Sequence, residues 1–289
     1  MSIGYQRMAK RFFDFMESRE RIRLKKERGE AWPWCDDPIL REFKFTNVKR
    51  EHDRTTVWMR KNWTGPNTSD SDGNIIFNCA LFRYFGTIRC AQIVGWQKSW
   101  KPDAAITRIE TALSCGESIF TGAYIIPTLG KKSPKHRVIV NEVLTPLWKV
   151  REEIGLLARS TKSWRIVGER LMTLPGFGGT GFLAKEVLQD VLHTPVLNDA
   201  FDRNSWCPIG PGAQRGLNRV MNRDINTRVP FASALSELIE LYRRASMSLP
   251  SWMPELELHD IQFQLCEFDK YERTRLGQGR PKSRYRFIT

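Results

Sequence analysis

The sequence has few of the residues that build metal sites, and it has no long apolar run. Its four histidines are scattered, and none of its six cysteines forms a Cys-x-x-Cys pair, so the spacing favours neither a zinc site nor an iron–sulfur cluster. We expect the cysteines to be buried, reduced thiols. No apolar run approaches the ~18 residues of a membrane-spanning helix, and the first residues are unlike a signal peptide. These absences predict a soluble, cytoplasmic protein with no membrane partner.

The alternation of apolar and polar residues that is typical of strands is also scarce. Apolar residues make up 41% of the 289 residues, enough for a sizeable core, and most recur at helical spacing. One stretch, residues 120–135, has the character of a strand or a long loop. The expected helices cover residues 5–28, 46–61, 75–84, 87–98, 103–113, 136–153, 161–172, 180–192, 211–223, 231–246 and 256–274. We predict an all-α fold in which a basic N-terminal helix or arm (residues 1–30) precedes one helical catalytic domain (residues 31–289).

The balance of charge favours an anionic partner. Lysine and arginine total 46 against 32 acidic residues, a net charge of +14, and nine of the basic residues lie within residues 5–28. Such an excess points to nucleic acid or another polyanion, although a membrane surface would attract it too.

A glycine-rich turn separates two of the expected helices. Residues 174–179 read Leu-Pro-Gly-Phe-Gly-Gly, in which proline ends a helix and the glycines permit positive φ and close backbone approach. The helix that follows would present its N-terminal N–H groups, a ready phosphate site. The candidate DNA-binding residues are Gly176, Gly178, Gly179 and Thr180. A plain helical hairpin in the core is the alternative.

Two pairs of arginines recur at helical spacing. Arg50 and Arg54 lie four residues apart in the expected helix 46–61, beside Asn47, so they would share a face and could clamp a phosphate or pyrophosphate. A solvated cluster paired with Glu51 and Asp53 is the alternative.

The second pair follows a rigid turn, Pro-Ile-Gly-Pro-Gly at residues 208–212. Arg215 and Arg219 again stack one helical turn apart, and the turn itself could present N–H groups to an anion. A tight turn between core helices would explain the same residues.

The C-terminal stretch, LCEFDKYERTRLGQGRPKSRY at residues 265–285, ends in glycine, proline and basic residues. It could follow a DNA backbone through Lys270, Arg280 and Lys282, or it could be a solvated helix with a disordered tail. Asp53, Glu267 and Asp269 are possible carboxylates of a second site.

The hairpin and the residues after it resemble the helix-hairpin-helix DNA glycosylases. That family carries Leu-Pro-Gly-hydrophobic-Gly, followed about twenty residues later by a catalytic aspartate behind a His-x-Pro stretch; here residues 193–199 read His-Thr-Pro-Val-Leu-Asn-Asp. The resemblance assigns the catalytic role to Asp199, with Asp202 as the competitor. The position of the nucleophilic lysine of lyase-type members is Thr180, and the iron–sulfur cysteines of some members are absent, so Schiff-base chemistry is not expected.

Taken together, residues 36–54, 174–199, 208–219 and 265–285 resemble the α-glutamyl/putrescinyl-thymine pyrophosphorylases, or amino acid:DNA transferases, of bacteriophage DNA hypermodification. The resemblance covers most of the chain from about residue 36. A related helical domain also occurs fused to 5-hydroxymethyluridine DNA kinases, but the Gly-x-x-x-x-Gly-Lys-[Ser/Thr] phosphate loop of such kinases does not occur in this sequence.

The resemblance implies a reaction on double-stranded DNA that carries a modified thymine, in a phage-infected cell. The amine of an amino acid or polyamine would displace pyrophosphate from a flipped-out 5-pyrophosphoryloxymethyl base. Asp199 would take a proton or stabilise a cationic methylene, the arginines would neutralise pyrophosphate, and Mg²⁺ could assist the leaving group. A monofunctional DNA glycosylase and a non-catalytic DNA-binding module remain alternatives.

Overall fold

The computed structural model describes residues 2–285, and its regular structure is helical. The α-helices are α1 (Ile3–Glu27), α2 (Pro38–Glu42), α3 (Arg54–Met59), α4 (Asp72–Phe85), α5 (Ile88–Val94), α6 (Pro102–Ser114), α7 (Lys135–Val138), α8 (Thr145–Thr161), α9 (Trp164–Met172), α10 (Phe182–Val191), α11 (Pro211–Val220), α12 (Phe231–Ser248) and α13 (Leu258–Arg275). No strand forms in this range, where residues 120–135 are chiefly a loop and an isolated antiparallel bridge joins Phe43 to Arg284. The predicted all-α fold is therefore confirmed over the described residues.

Polar side chains set the starts of several helices. A serine, threonine or aspartate side chain accepts a hydrogen bond from a backbone N–H of the first turn in five of them, which satisfies a donor that the helix itself leaves unpaired. These caps are Ser2, Asp37, Ser71, Thr87 and Ser163. Two helices end in the left-handed conformation, α4 at Gly86 and α8 at Lys162.

The chain divides into two compact units. Among the described residues, 2–53 and 204–285 form one, here called the terminal unit, and residues 54–203 form the other, the central unit. This division differs from the boundary at residue 30 that the charge pattern suggested. The basic N-terminal residues form α1, which belongs to the terminal unit rather than standing apart as an arm.

The core of the terminal unit forms where α1, α11 and α12 pack on α13. Helix α1 is amphipathic, because Phe12, Phe15 and Met16 are buried on one face while most of its charged residues, apart from the buried Arg19 and Glu20, lie on the other. Helices α11 and α13 approach so closely that a Cβ added to Gly216 would lie 2.0 Å from the carbonyl oxygen of Leu265. Only glycine permits this contact.

The core of the central unit is built around α4, which packs against α8 and α10. All its residues from Gly73 to Phe85 are buried. Glycine again allows close packing, since a Cβ on Gly155 of α8 would lie 2.7 Å from the amide nitrogen of Gly73.

Two expectations from the sequence are wrong. Residues 46–61 do not form one helix, because a 3₁₀ turn over Arg50–His52 ends at Asp53, whose backbone is extended (φ −72°, ψ 131°), and α3 begins only at Arg54. Of the six cysteines only Cys79, Cys90 and Cys207 are buried, whereas Cys35 and Cys266 are half-buried and Cys115 is exposed. No helix among residues 2–285 is long and apolar enough to cross a membrane.

Candidate nucleic-acid and anion sites

The hairpin between α9 and α10 lies in the central unit and is held by its buried side chain. Phe177 is fully buried and packs edge-on against Tyr84, with ring centroids 5.2 Å apart. Gly176 has φ +87°, and a Cβ there would lie 2.8 Å from both Tyr84 Oη and a methyl group of Val143. Glycine at this position is thus required by conformation and by packing together.

The glycines of the hairpin differ in their backbone conformations. Gly176, Gly179 and Gly181 have positive φ, whereas Gly178 does not, so of the two roles expected for Gly178, positive φ or a close phosphate approach, only the second remains. A Cβ on Gly178 would meet the carbonyl oxygen of Met172 at 3.1 Å, a tight but limited contact.

The tip of the hairpin is open to solvent. Gly178, Gly179 and Thr180 are exposed, and α10 begins after Gly181 without a side-chain cap. The first N–H groups of α10 have no intrahelical acceptor. The geometry is therefore compatible with an anion at this helix start, as the sequence suggested.

The two candidate aspartates that follow α10 have very different surroundings. Asp199 lies on an exposed turn, and its Oδ2 is 2.6 Å from Lys162 Nζ. That hydrogen bond lowers the pKa of the Asp199 carboxyl, so the group is ionised at neutral pH.

Asp202 is buried, and its carboxylate is fully engaged at the start of α9. It accepts hydrogen bonds from Ser163 Oγ at 2.6 Å and from the N–H groups of Trp164 at 2.9 Å and Arg165 at 3.1 Å. The geometry gives Asp202 a structural task and leaves Asp199 as the accessible carboxylate.

The first arginine pair does not form the expected clamp. Because the backbone is extended at Asp53, Arg50 and Arg54 do not lie on one helical face: Arg50 is buried, and Arg54 is exposed at the start of α3. The amide of Asn47 donates to the carbonyl oxygen of His52 at 2.8 Å, and its backbone N–H donates to Asp53 Oδ1 at 3.3 Å. Asn47 and Asp53 therefore shape this segment.

A buried carboxylate holds the backbone of the same segment. Asp260 accepts hydrogen bonds from the N–H of Arg50 at 3.1 Å and from the N–H of Glu257 at 3.0 Å. Burial raises the pKa of Asp260 to about 7, although the two hydrogen bonds act in the opposite direction. A carboxyl group in the terminal unit thus titrates near neutral pH.

The second arginine pair behaves as its spacing predicted, and a third arginine joins it. Arg215 and Arg219 of α11 each place Nε 2.9 Å from an oxygen of Asp269 on α13. Arg273, one turn after Asp269, places its Nε 3.4 Å from the same carboxylate. We call these four residues the arginine cluster.

The arginine cluster has excess positive charge that faces solvent. Asp269 is 1% exposed, while the side chains of Arg215 and Arg273 are 37% and 39% exposed. Arg215 donates a hydrogen bond to Asp269 through Nε, whereas the Nε of Arg273 is buried and donates no hydrogen bond. Within residues 2–285 the terminal Nη groups of these two arginines form no hydrogen bond. Arg219 Nη2 donates to Gln278 Oε1 at 3.1 Å. Three guanidinium groups around one carboxylate leave two positive charges, which suits a phosphate or pyrophosphate.

The other candidate DNA-binding residues of the C-terminal stretch do not belong to the arginine cluster. Lys270 pairs with the buried Glu267 at 2.6 Å, and Arg280 and Lys282 are exposed. Residues 283 and 285 pair through their backbones with residues 44 and 42, so this part of the tail is held against the terminal unit.

A buried ion pair in the central unit was not predicted from the sequence. Arg83 Nε and Nη2 both donate to the carboxylate of Asp190, the latter at 2.7 Å, and Arg60 Nη2 lies 3.2 Å from the same group. Although burial alone lowers the pKa of Arg83, the charge and hydrogen bonds of Asp190 raise it above its usual value. Arg83 and Asp190 lie 107 residues apart, so no local spacing could have found the pair.

Comparison with known proteins places these features in a family. Residues 6–280 match the family described as "5-hmdU DNA kinase, helical domain". A protein described as a 5-hmdU DNA kinase, from Bacillus phage SP10, is 25% identical over 267 residues, which cover 84% of this chain and 41% of the phage protein. The chain thus spans less than half the length of that relative. No solved structure matches. The chain belongs to the family of helical domains of 5-hmdU DNA kinases.

Proposed function

We propose that this chain modifies thymine-derived bases in DNA by replacing a pyrophosphate on the 5-methylene carbon with an amine. The observation that carries this proposal is the arginine cluster, where two partly exposed guanidinium groups keep their Nη atoms available beside a single carboxylate. The phage relative is named for a kinase that acts on 5-hmdU in DNA. A phosphorylated hydroxymethyl base is the kind of substrate whose leaving group such a cluster would bind.

In the proposed step the bond between the methylene carbon and the pyrophosphate oxygen breaks as the amine nitrogen bonds to that carbon. Pyrophosphate leaves with the electron pair of the broken bond, and the amine loses one proton to the departing pyrophosphate or to solvent water. The Nη groups of Arg215 and Arg273 would bind the departing oxygens in the charge-assisted, bidentate manner that guanidinium groups favour. Stabilising charge that develops on the leaving group lowers the barrier.

Within the central unit, Asp199 is the carboxylate proposed to bind the ammonium group of the amine. Its lowered pKa makes it a weak base, so it is better suited to binding an ammonium ion or stabilising a cationic methylene than to removing a proton. Its partner Lys162 is itself an exposed amine. A substrate ammonium ion would bind at Asp199 by replacing Lys162.

Double-stranded DNA is the proposed macromolecular partner. The exposed tip of the hairpin, with the uncapped start of α10, would bind one backbone phosphate. The net charge of +14 would supply further, sequence-independent attraction. The proposal places the reacting base outside the stack, as in other enzymes that do chemistry on a flipped-out base.

The test is incubation of the protein with duplex DNA that carries 5-pyrophosphoryloxymethyl-deoxyuridine, together with amino acids or putrescine. We expect a new amine-bearing nucleoside by mass spectrometry and one pyrophosphate released for each nucleoside formed. Arg273→Gln should slow product formation while leaving the affinity for unmodified DNA unchanged, and Arg7→Gln, which removes a charge from α1, is the matched control. Absence of a new nucleoside with every amine would refute the transfer reaction.

A monofunctional DNA glycosylase is the second candidate, because the hairpin has left-handed glycines in a turn that would suit a backbone phosphate. The same assay separates the two activities. A glycosylase would release a free base and leave an abasic site, whereas the transferase would leave the modified nucleoside in the strand.

A further inference from the structure

Arg19 is a buried cation on the apolar face of α1. Its residue is 6% exposed, and its guanidinium carbon lies 4.7 Å from the centre of the Phe15 ring. Its Nη1 donates to Gln264 Oε1 and its Nη2 to the carbonyl oxygen of Thr46. All these partners are neutral.

A buried guanidinium group normally has a carboxylate partner, because removing a charge from water is costly. Within residues 2–285, Arg19 forms no ion pair, and its buried Nε has no hydrogen-bond acceptor. Burial lowers the pKa of Arg19 to about 10, although Glu267 and Asp53 oppose the shift from a distance. The charge of Arg19 is therefore incompletely balanced by the protein.

Arg19 lines a small pocket in the terminal unit that opens to solvent. The charged residues of its lining, Arg19, Arg23 and Lys26, are all basic, and Phe45, Asn47 and Tyr285 also contribute. Such a space suits a small anionic group and not a folded partner.

Two lysines add to the positive charge near this pocket. Lys26 Nζ lies 5.3 Å and Lys44 Nζ 5.4 Å from the centre of the Tyr285 ring. Burial and the charge of Lys44 together lower the pKa of Lys26, as expected for like charges held close together. A bound anion would relieve this repulsion.

The acidic residues nearby are already engaged. Arg23 forms ion pairs with Glu20 and Glu27, each at 2.5 Å, and Glu267 forms an ion pair with Lys270. Glu42 pairs with Arg284 at 3.0 Å. Arg19, Lys26 and Lys44 therefore remain as a group of three cations around one cavity.

We propose that the pocket lined by Arg19, Lys26 and Asn47 binds a phosphate group. The charges of Arg19, Lys26 and the nearby Lys44 match a phosphate dianion better than a singly charged carboxylate, and the lysine ammonium groups supply donors for its oxygens. The inference is independent of the transfer reaction, because it requires binding and not turnover. The phosphate could be inorganic, the terminal phosphate of a nucleotide or DNA end, or a phosphodiester within DNA.

The primary test is calorimetric titration of the full chain with inorganic phosphate at low salt. We expect saturable binding of one phosphate, weakened at least tenfold by Lys26→Gln and by Lys44→Gln. Arg21→Gln is the matched control: it removes one charge from the same helix, but Arg21 pairs with Glu17 and lies over Trp252. Its effect should be less than twofold. Lysine variants are preferred to Arg19 variants because Arg19 also joins α1 to Gln264.

Further titrations identify the source of the phosphate. Thymidine monophosphate and a 5′-phosphorylated oligonucleotide would bind more tightly than thymidine and the unphosphorylated oligonucleotide if the pocket takes a terminal phosphate. Equal, Lys26-dependent affinity for both oligonucleotides would identify an internal phosphodiester. Absence of saturable binding of every phosphate probe, or an equal loss in Lys26→Gln and Arg21→Gln, would overturn the proposal. Thermal melting of each variant without ligand controls for folding.

Discussion

The contact between α11 and α13 allows a sharp test, because Gly216 leaves no room for a side chain. A Cβ added there would lie 2.0 Å from the oxygen, 2.6 Å from the carbonyl carbon and 3.0 Å from the Cα of Leu265. All three are backbone atoms, so no side-chain rotation can relieve the clash. The helices would have to separate by roughly 1.4 Å to restore an ordinary 3.4 Å contact.

The size of the effect follows from two opposing terms. Overpacking a core typically costs about 1–3 kcal/mol and sometimes more, and a clash with rigid backbone belongs at the upper end. Replacing glycine by alanine within a helix stabilises that helix by about 1 kcal/mol. We therefore expect Gly216→Ala to lower the free energy of unfolding by about 2 kcal/mol.

The same change should weaken anion binding, because Arg215 and Arg219 flank Gly216 on α11 while Asp269 lies one turn from Leu265 on α13. Urea denaturation measures the stability, and calorimetry with pyrophosphate measures the binding. Gly212→Ala is the matched control on the same helix: its Cβ would meet the movable Cys266 Sγ at 3.2 Å, so its stability should change by less than about 1 kcal/mol. Equal stability of Gly216→Ala and the parent protein would refute the packing argument.

The other predictions concern single carboxylates and salt. Asp199→Asn should slow amine transfer about a hundredfold or more, the scale of a positioned charged group, and its melting temperature should match the parent because Asp199 is exposed; full activity would contradict its proposed role. Asp202→Asn should instead lower the free energy of unfolding by about 1–3 kcal/mol, because an amide NH₂ group would face backbone N–H groups that now donate hydrogen bonds to the Asp202 carboxylate. An unchanged urea midpoint would contradict this expected loss of stability. Burial raises the pKa of Asp260 from its ordinary 3.8 to about 7, so between these pH values the folded state binds more protons than the unfolded state. The free energy of unfolding of the parent, relative to that of Asp260→Asn, should therefore fall as pH rises from about 4 to 7. A difference that does not change with pH would refute the raised pKa. The dissociation constant for DNA should rise steeply from low to moderate salt, because each phosphate contact releases counterions, and a salt-independent value would exclude the charge-based interface.

Helices whose signals are local could be predicted from the sequence. Helix α11 begins at Pro211, where proline has no N–H to leave unpaired, and it follows the apolar spacing to Val220. Segment 46–53 could not be predicted in this way. Its backbone is held by distant groups: Gln264 donates to the carbonyl oxygens of Asn47 and Val48, and Asp260 accepts from the N–H of Arg50. Tertiary hydrogen bonds of this kind override the helical pattern.

The residues of the candidate sites, like the helices, could be predicted where the signal is local. The four-residue spacing of Arg215 and Arg219 was enough to place them together, because both lie on one regular helix. Arg273 was missed, although it follows Asp269 at the same spacing. Arg19 was missed because nothing in the sequence marks it as buried except its position between the apolar residues Phe15 and Ile22 on α1.

The geometry around each carboxylate separates structural arginines from those that could bind a ligand. Asp190 takes both Nε and Nη2 of Arg83 in the interior of the central unit, which leaves that guanidinium group little capacity for anything else. Asp269 takes only Nε from Arg215, and the Nη groups of that arginine face solvent. Arg19 has no carboxylate at all within the described residues. The positive charges behind the net charge of +14 are thus unevenly distributed. In the terminal unit the positive charge is concentrated where arginines outnumber the neighbouring carboxylates. An anion bound at such a place would supply the negative charge that neighbouring residues do not.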